Sequence, residues 1–116
     1  MSVALSQAEA EFFRTLGHPV RIQVLELLQG GPVAVRDMLG LIEVESSTLS
    51  QQLAVLRRAG IVTASRDGAT VVYELSSVDV AELLRATRRI LTGLIAGRGE
   101  LLAELRDAGA ARPRPG

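Results

Sequence analysis

Between Ser46 and Arg66 the chain gathers the side chains with most to offer a partner: Ser46, Ser47, Thr48, Ser50 and Gln51, then Arg57, Arg58 and Arg66, with no acid among them. Hydroxyls and amides exchange hydrogen bonds with base edges and phosphate oxygens, and guanidinium groups grip phosphate bidentately. This is the chemistry of recognition. The groups that catalysis draws on are nearly missing, since the chain has one His (His18) and no Cys. Without thiols there is no disulfide framework, cysteine zinc site, iron–sulfur cluster or cysteine nucleophile. A single His supplies neither a metal cage nor a His pair for acid–base work. Carboxylate pairs such as Glu43/Glu45 and Glu100/Glu104 have no nucleophile or ligand beside them and read as solvated charge. Neither an enzyme nor a bound metal or cofactor is expected.

Charge first argues against a nucleic acid. Lys+Arg and Asp+Glu both number 13, every cation is Arg, and the formal net charge is zero, whereas a basic domain is the usual footprint of such a partner. The distribution reverses the argument. Residues 1–45 carry Arg14, Arg21 and Arg36 against Glu9, Glu11, Glu26, Asp37, Glu43 and Glu45, while Ser46–Arg66 carries arginines alone. The local field is therefore positive where the hydrogen-bonding residues sit. With 116 residues, 47% of them hydrophobic, the chain suits one small packed domain, expected over 1–107, followed by a flexible tail over 108–116 that holds Pro113 and Pro115. No apolar run approaches the ~18–20 residues of a membrane span, and Met1–Leu5 lacks the cationic start of a signal peptide. A cytoplasmic protein without a membrane partner is the expectation.

The elements that must position these residues follow from period and punctuation. Ser6-Gln7-Ala8-Glu9 fits a capping box, with Leu5, Ala8, Phe12 and Leu16 at helical spacing up to Gly17. His18-Pro19 opens a second helix, His18 as a cap, with a buried stripe of Val20, Val24, Leu27 and Leu28 that stops at Gly30-Gly31-Pro32. A short third helix covers Val35 to Leu41. The fourth starts at Ser46 or Ser47 and ends at Ala59 before Gly60, burying Leu49, Leu53 and Leu56 and turning Ser47, Ser50, Gln51, Ala54 and Arg58 outward. The period then changes to two: Ile61–Arg66 and Thr70–Leu75 flank Asp67-Gly68, a hairpin signal. Ser76-Ser77 caps a long last helix from about Val78, in which Gly97 and Gly99 predict a kink or break. The fold class is mainly α with a small β-hairpin, in the order of a helix-turn-helix followed by a wing. A helix that enters a major groove needs a low, acid-free face, which the fourth helix has. Its free N-terminal N–H groups suit a phosphate, and Arg66 beside the turn is placed to reach phosphate or minor groove.

The segment Phe12-Phe13-Arg14-Thr15-Leu16-Gly17-His18-Pro19-Val20-Arg21-Ile22 resembles the opening of the ArsR/SmtB-type winged-helix repressors of bacteria. Ser47 to Val62 is similar to their recognition segment, SxxSQHLxxLxxAGLV, and Arg66-Asp67-Gly68 with Tyr73 and Leu75 to their wing. The match covers roughly residues 9–90. It implies a homodimeric repressor of double-stranded DNA that acts on an inverted-repeat operator. The resemblance puts the dimer interface on the first and last helices, at Leu5, Phe12, Leu84, Leu91, Leu94, Ile95 and Leu102. Two metal sites common in that family are not matched. The cysteine pair around the third helix falls on Ala34-Val35-Arg36-Asp37-Met38, and the other site retains Asp79 while its partners fall on Ala81, Thr92 and Ile95. Gln52 stands where His is usual, with no sensing role expected. The effector, if the protein has one, is unknown. A winged-helix adaptor that docks a protein without DNA is the alternative.

Overall fold

The computed structural model describes residues 3–111. The chain runs α1 (Val3–Leu16), α2 (Pro19–Leu28), β1 (Val33–Ala34), α3 (Val35–Leu41), α4 (Ser46–Arg58), β2 (Val62–Asp67), β3 (Thr70–Leu75) and α5 (Val78–Ala111). It divides into two compact units, Met1–Glu82 and Leu83–Gly116. The expected class, mainly helical with a small sheet, is what forms. α1 is already helical at Val3, so Ser6 lies inside the helix and not at its cap. His18 does cap α2: its backbone is extended and its Nδ1 accepts the Val20 N–H at 3.2 Å.

The sheet has three antiparallel strands in the order β1-β3-β2. β1 was not expected. It is two residues long, pairing Val33 with Tyr73 and Ala34 with Val72, and so short a strand has no period to read; its partner creates it. The hairpin turn also sits one residue later than its signal. Asp67 pairs with Thr70, which leaves Gly68-Ala69 as the two-residue loop. Gly68 has φ +64° and no described non-glycine residue has positive φ, Ala69 included, the sign pattern of a type II′ turn with glycine at its first central position.

In the first unit α2, α3, α4, the α4–β2 link and the sheet share a core of Val24, Leu25, Leu28, Met38, Leu49, Leu53, Leu56, Ile61, Val62 and Tyr73. The α4 stripe is as expected. In α2, Val24 and Leu28 are buried as expected, but Leu25 is fully buried where Leu27 and Val20 are only half-buried, a turn of the buried face by roughly 60° at 100° per residue. The start of α5 is capped by Ser77, whose Oγ accepts the Asp79 N–H at 3.1 Å.

The second unit is the rest of α5. The helix runs without interruption through Gly97 and Gly99 to Ala111, so the expected break is absent and Ala108–Ala111 is helical instead of frayed. An interior glycine costs a helix about 1 kcal/mol relative to Ala, too little to stop a segment otherwise rich in Leu, Ala, Glu and Arg. The remaining tail, 112–116, lies outside the described residues.

Candidate nucleic-acid interface

The face of α4 is set by its leucines. Because Leu49, Leu53 and Leu56 are buried, the 3.6-residue period turns Ser46, Ser47, Ser50, Gln51, Ala54, Arg57 and Arg58 outward, and all seven are exposed. Thr48 sits at the margin, half-buried. The N-cap position is Glu45, whose side chain makes no capping hydrogen bond. The first-turn N–H groups of α4 therefore have no side-chain acceptor, at the end of the helix where the backbone dipole favours an anion. Among the described residues the side chains of Arg57, Arg58 and Arg66 make no hydrogen bond or ion pair. Three guanidinium groups are thus available to an outside partner.

Two devices hold α4 in place. At its C-terminus Gly60 adopts φ +76°, its N–H donates to the Arg57 carbonyl at 3.0 Å, and the Ile61 N–H donates to the Leu56 carbonyl at 3.1 Å. These are the paired bonds of a Schellman motif, completed by the buried side chains of Leu56 and Ile61. The motif turns the chain straight into β2, so the direction of the wing is coupled to the end of α4. In the middle of the helix, Arg21 of α2 donates from Nε to Gln52 Oε1 at 2.7 Å and from Nη1 to the Thr15 carbonyl at 3.1 Å. One guanidinium thereby ties the end of α1 to α4. Sequence reading missed this role for Arg21 and Gln52. The pair is separated by 31 positions, and nothing local in either segment signals the other.

The wing brings the cations together. Arg66 stands opposite Val71, one step from the last pair of the hairpin. Together with Arg57 of α4, Ser65 and Val71 it lines a shallow cleft of about 250 Å³. Arg58 is exposed on α4 outside that cleft. Ser50 faces a separate groove with Thr70 of the hairpin. The sheet keeps its hydroxyl bond at the far end, where the Ser76 Oγ lies 2.7 and 2.8 Å from the Gly60 and Ile61 carbonyls and shares one proton between them.

The residues expected at a dimer interface divide by exposure. On α1, Leu5 and Phe12 are exposed, and Phe12 meets Phe13 edge to face at 5.8 Å. On α5, Leu91, Leu94, Ile95 and Leu102 are exposed, as are Ile90, Leu101 and Leu105 of the same apolar pattern. Leu84 differs: it is 4% exposed in the single chain, which leaves little surface for a partner and makes it an interior residue. Among the described residues no group of three or more His, Asp or Glu is placed to hold a metal ion. No helix of the described residues is long and apolar enough to cross a membrane.

Residues 18–64 match the family model described as "Bacterial regulatory protein, arsR family". The chain is 46% identical over 111 residues to Rv0081 of Mycobacterium tuberculosis, an HTH-type transcriptional regulator, covering 95% of this chain and 97% of that one. The crystal structure of Rv0081 superposes with a TM-score of 0.78 over 84% of this chain and 98% of that chain. A second mycobacterial regulator, NmtR of M. tuberculosis, is 42% identical over 82 residues, 68% of either chain. The solution structure of Mb0332 from Mycobacterium bovis, described as a homodimeric winged helix-turn-helix DNA-binding domain, is 28% identical with a TM-score of 0.72, over 82% of this chain and 91% of that one.

Proposed function

The chain belongs to the ArsR family of bacterial regulatory proteins and is a DNA-binding transcriptional regulator; from that premise we propose how it reads DNA and what it does there. A homodimer binds an inverted-repeat operator in the cytoplasm and represses by occupying it. Two-fold symmetry sets the half-sites about one helical turn, roughly 34 Å, apart. α4 enters the major groove. Ser50 and Gln51 lie nearest the base edges, and Ser46, Ser47 and Thr48 contact phosphate at the uncapped N-terminal turn. Arg57, Arg58 and Arg66 neutralise backbone phosphates, the cleft shared by Arg57 and Arg66 taking the strand that passes between α4 and the wing.

The observation that carries this reading is the exposed face of α4, which has no acid and ends in arginines left without partners. A helix under no demand but solubility more often shows Glu and Lys there. The dimer rests on the apolar faces of α1 and α5, which expose Leu5, Phe12, Leu91, Leu94, Ile95 and Leu102 in the single chain; the solved relative described as a homodimer supports it. No observation favours the adaptor alternative. A gel-shift on DNA from upstream of the protein's own gene, repeated at several salt concentrations, tests the proposal. A salt-dependent complex with one dimer per operator is the expected result, and equal affinity for random DNA of the same length overturns the claim of sequence reading.

A further inference from the structure

A groove of about 510 Å³ opens between α3, α4 and the hairpin. Its wall is apolar: Val35 and Leu39 from α3, Leu53 from α4, Val71 and Tyr73 from β3. Its polar groups are few and convergent, namely Arg36, Ser50 and Thr70. Arg36 is exposed, and its guanidinium makes no hydrogen bond or ion pair among the described residues. Tyr73 is 9% exposed with no hydrogen bond to its hydroxyl, yet among the described residues no side-chain polar atom is both buried and unpartnered. The small exposed part of Tyr73 therefore includes that hydroxyl. Apolar walls with a few placed polar groups, within about 300–1,000 Å³, are the general form of a small-molecule site.

We propose that this groove binds a small organic anion with an apolar body, the body against Leu39, Leu53 and Val71 and the carboxylate on Arg36. A guanidinium at the rim fixes a carboxylate by two parallel hydrogen bonds, and the apolar wall supplies the affinity that a bare inorganic anion would lack. A DNA strand fits these walls less well. Phosphate and sugar gain little from Val, Leu and Tyr, and the cationic cleft of Arg57 and Arg66 already offers the backbone a polar route. The position couples the site to function. Ser50 belongs to the outward face of α4, and Thr70 begins the strand that leaves the wing tip. An occupant beside Ser50 covers an edge of the face that α4 turns toward the bases in the proposal above, and so competes with DNA for α4. By linkage, DNA lowers the affinity for the anion by the same factor. This coupling rests on the DNA-reading proposal above; the site itself does not.

The probes are 2-naphthoate, its uncharged isostere naphthalene-2-carboxamide, and octanoate, titrated into the DNA-free protein with methyl and aromatic NMR shifts as the readout. Shifts at Val35, Leu39, Val71 and Tyr73 are expected for naphthoate, with weaker binding of the carboxamide. Arg36→Gln, a change at an exposed position, should weaken naphthoate by about tenfold and leave the carboxamide unchanged. Leu39→Ser, also at a partly exposed position, should weaken both. No shift from naphthoate or octanoate at millimolar concentration overturns the proposal, as does naphthoate binding that Arg36→Gln leaves intact. Saturating naphthoate should then weaken operator binding in the wild type and much less in Arg36→Gln; undiminished DNA binding by the naphthoate-saturated protein overturns the coupling. A protein that binds naphthoate in the groove but never binds an operator would instead sink the DNA reading and leave this site standing.

Discussion

The fourth and fifth helices each leave a surface uncovered, and the two have opposite chemistry. α4 presents Ser46, Ser47, Ser50, Gln51, Ala54, Arg57 and Arg58; α5 presents Ile90, Leu91, Leu94, Ile95, Leu101, Leu102 and Leu105. The same 3.6-residue period generates both. The polar face gives up water only to a partner that returns hydrogen bonds and negative charge. The apolar face gains on removal from water, by roughly 25 cal/mol per Å² buried, and so calls for another apolar surface. One small chain can therefore specify two partners, DNA and a second copy of itself, without either surface serving the other's purpose.

The largest test of that division falls on α5. Leu94→Glu puts a charge into the apolar face, and sedimentation velocity should show monomers. Operator affinity should drop by about two orders of magnitude or more, since a monomer engages one half-site without the gain of linked binding. A variant that stays dimeric with unchanged affinity would assign the α5 face to some other partner. Next in size is Gln51→Ala on α4, expected to cost about 1–3 kcal/mol on the operator and much less on random DNA, with dimerisation untouched. Equal loss on both DNAs takes Gln51 out of the sequence readout.

Arg57→Ala and Arg66→Ala should act smaller and more evenly. Each is expected to weaken binding to all sequences and to reduce the log–log salt slope by about one unit. An unaltered slope removes that arginine from the phosphate contacts. The smallest effects concern stability and carry opposite signs in the two regions. Gly60→Ala forces a side chain into the left-handed conformation that ends α4 and should destabilise by about 1 kcal/mol. Gly97→Ala adds a better helix former inside α5, where a Cβ meets nothing within 4 Å, and should stabilise by about 0.5–1 kcal/mol. Thermal melts of the two variants should move in opposite directions; a shared direction contradicts either the left-handed conformation of Gly60 or the helical assignment of Gly97.

Most of the elements were legible because local physics sets them. The leucine stripe of α4, its glycine stop, the His18 cap and the extent of β3 each depend on neighbours within a few positions. Several of the misses share one cause. β1 exists by pairing with Val72 and Tyr73 of β3, almost forty positions away, and the turn at Gly68-Ala69 follows from a register that only strand pairing defines. Leu84 and Leu94 look alike in the apolar pattern of α5, but the folded chain buries the first and exposes the second. The Arg21–Gln52 bond and the Arg57–Arg66 cleft join residues from different elements, so neither leaves a mark in the periodicity of one helix.

What the residue order alone settled was the division of labour: an acid-free Ser46–Arg66 stretch within a chain of zero net charge, a helix-turn-helix and hairpin in sequence, and no thiol for the metal chemistry its motifs evoke. Period, caps and charge runs are short-range properties, and they survive in a linear string. What required the folded chain was how those pieces face one another: Arg21 tying α1 and α2 to α4, Arg57 meeting Arg66 across a cleft, and Arg36 standing over an apolar groove beside Ser50. Such contacts depend on packing angles and strand register, which the burial of every core side chain sets together.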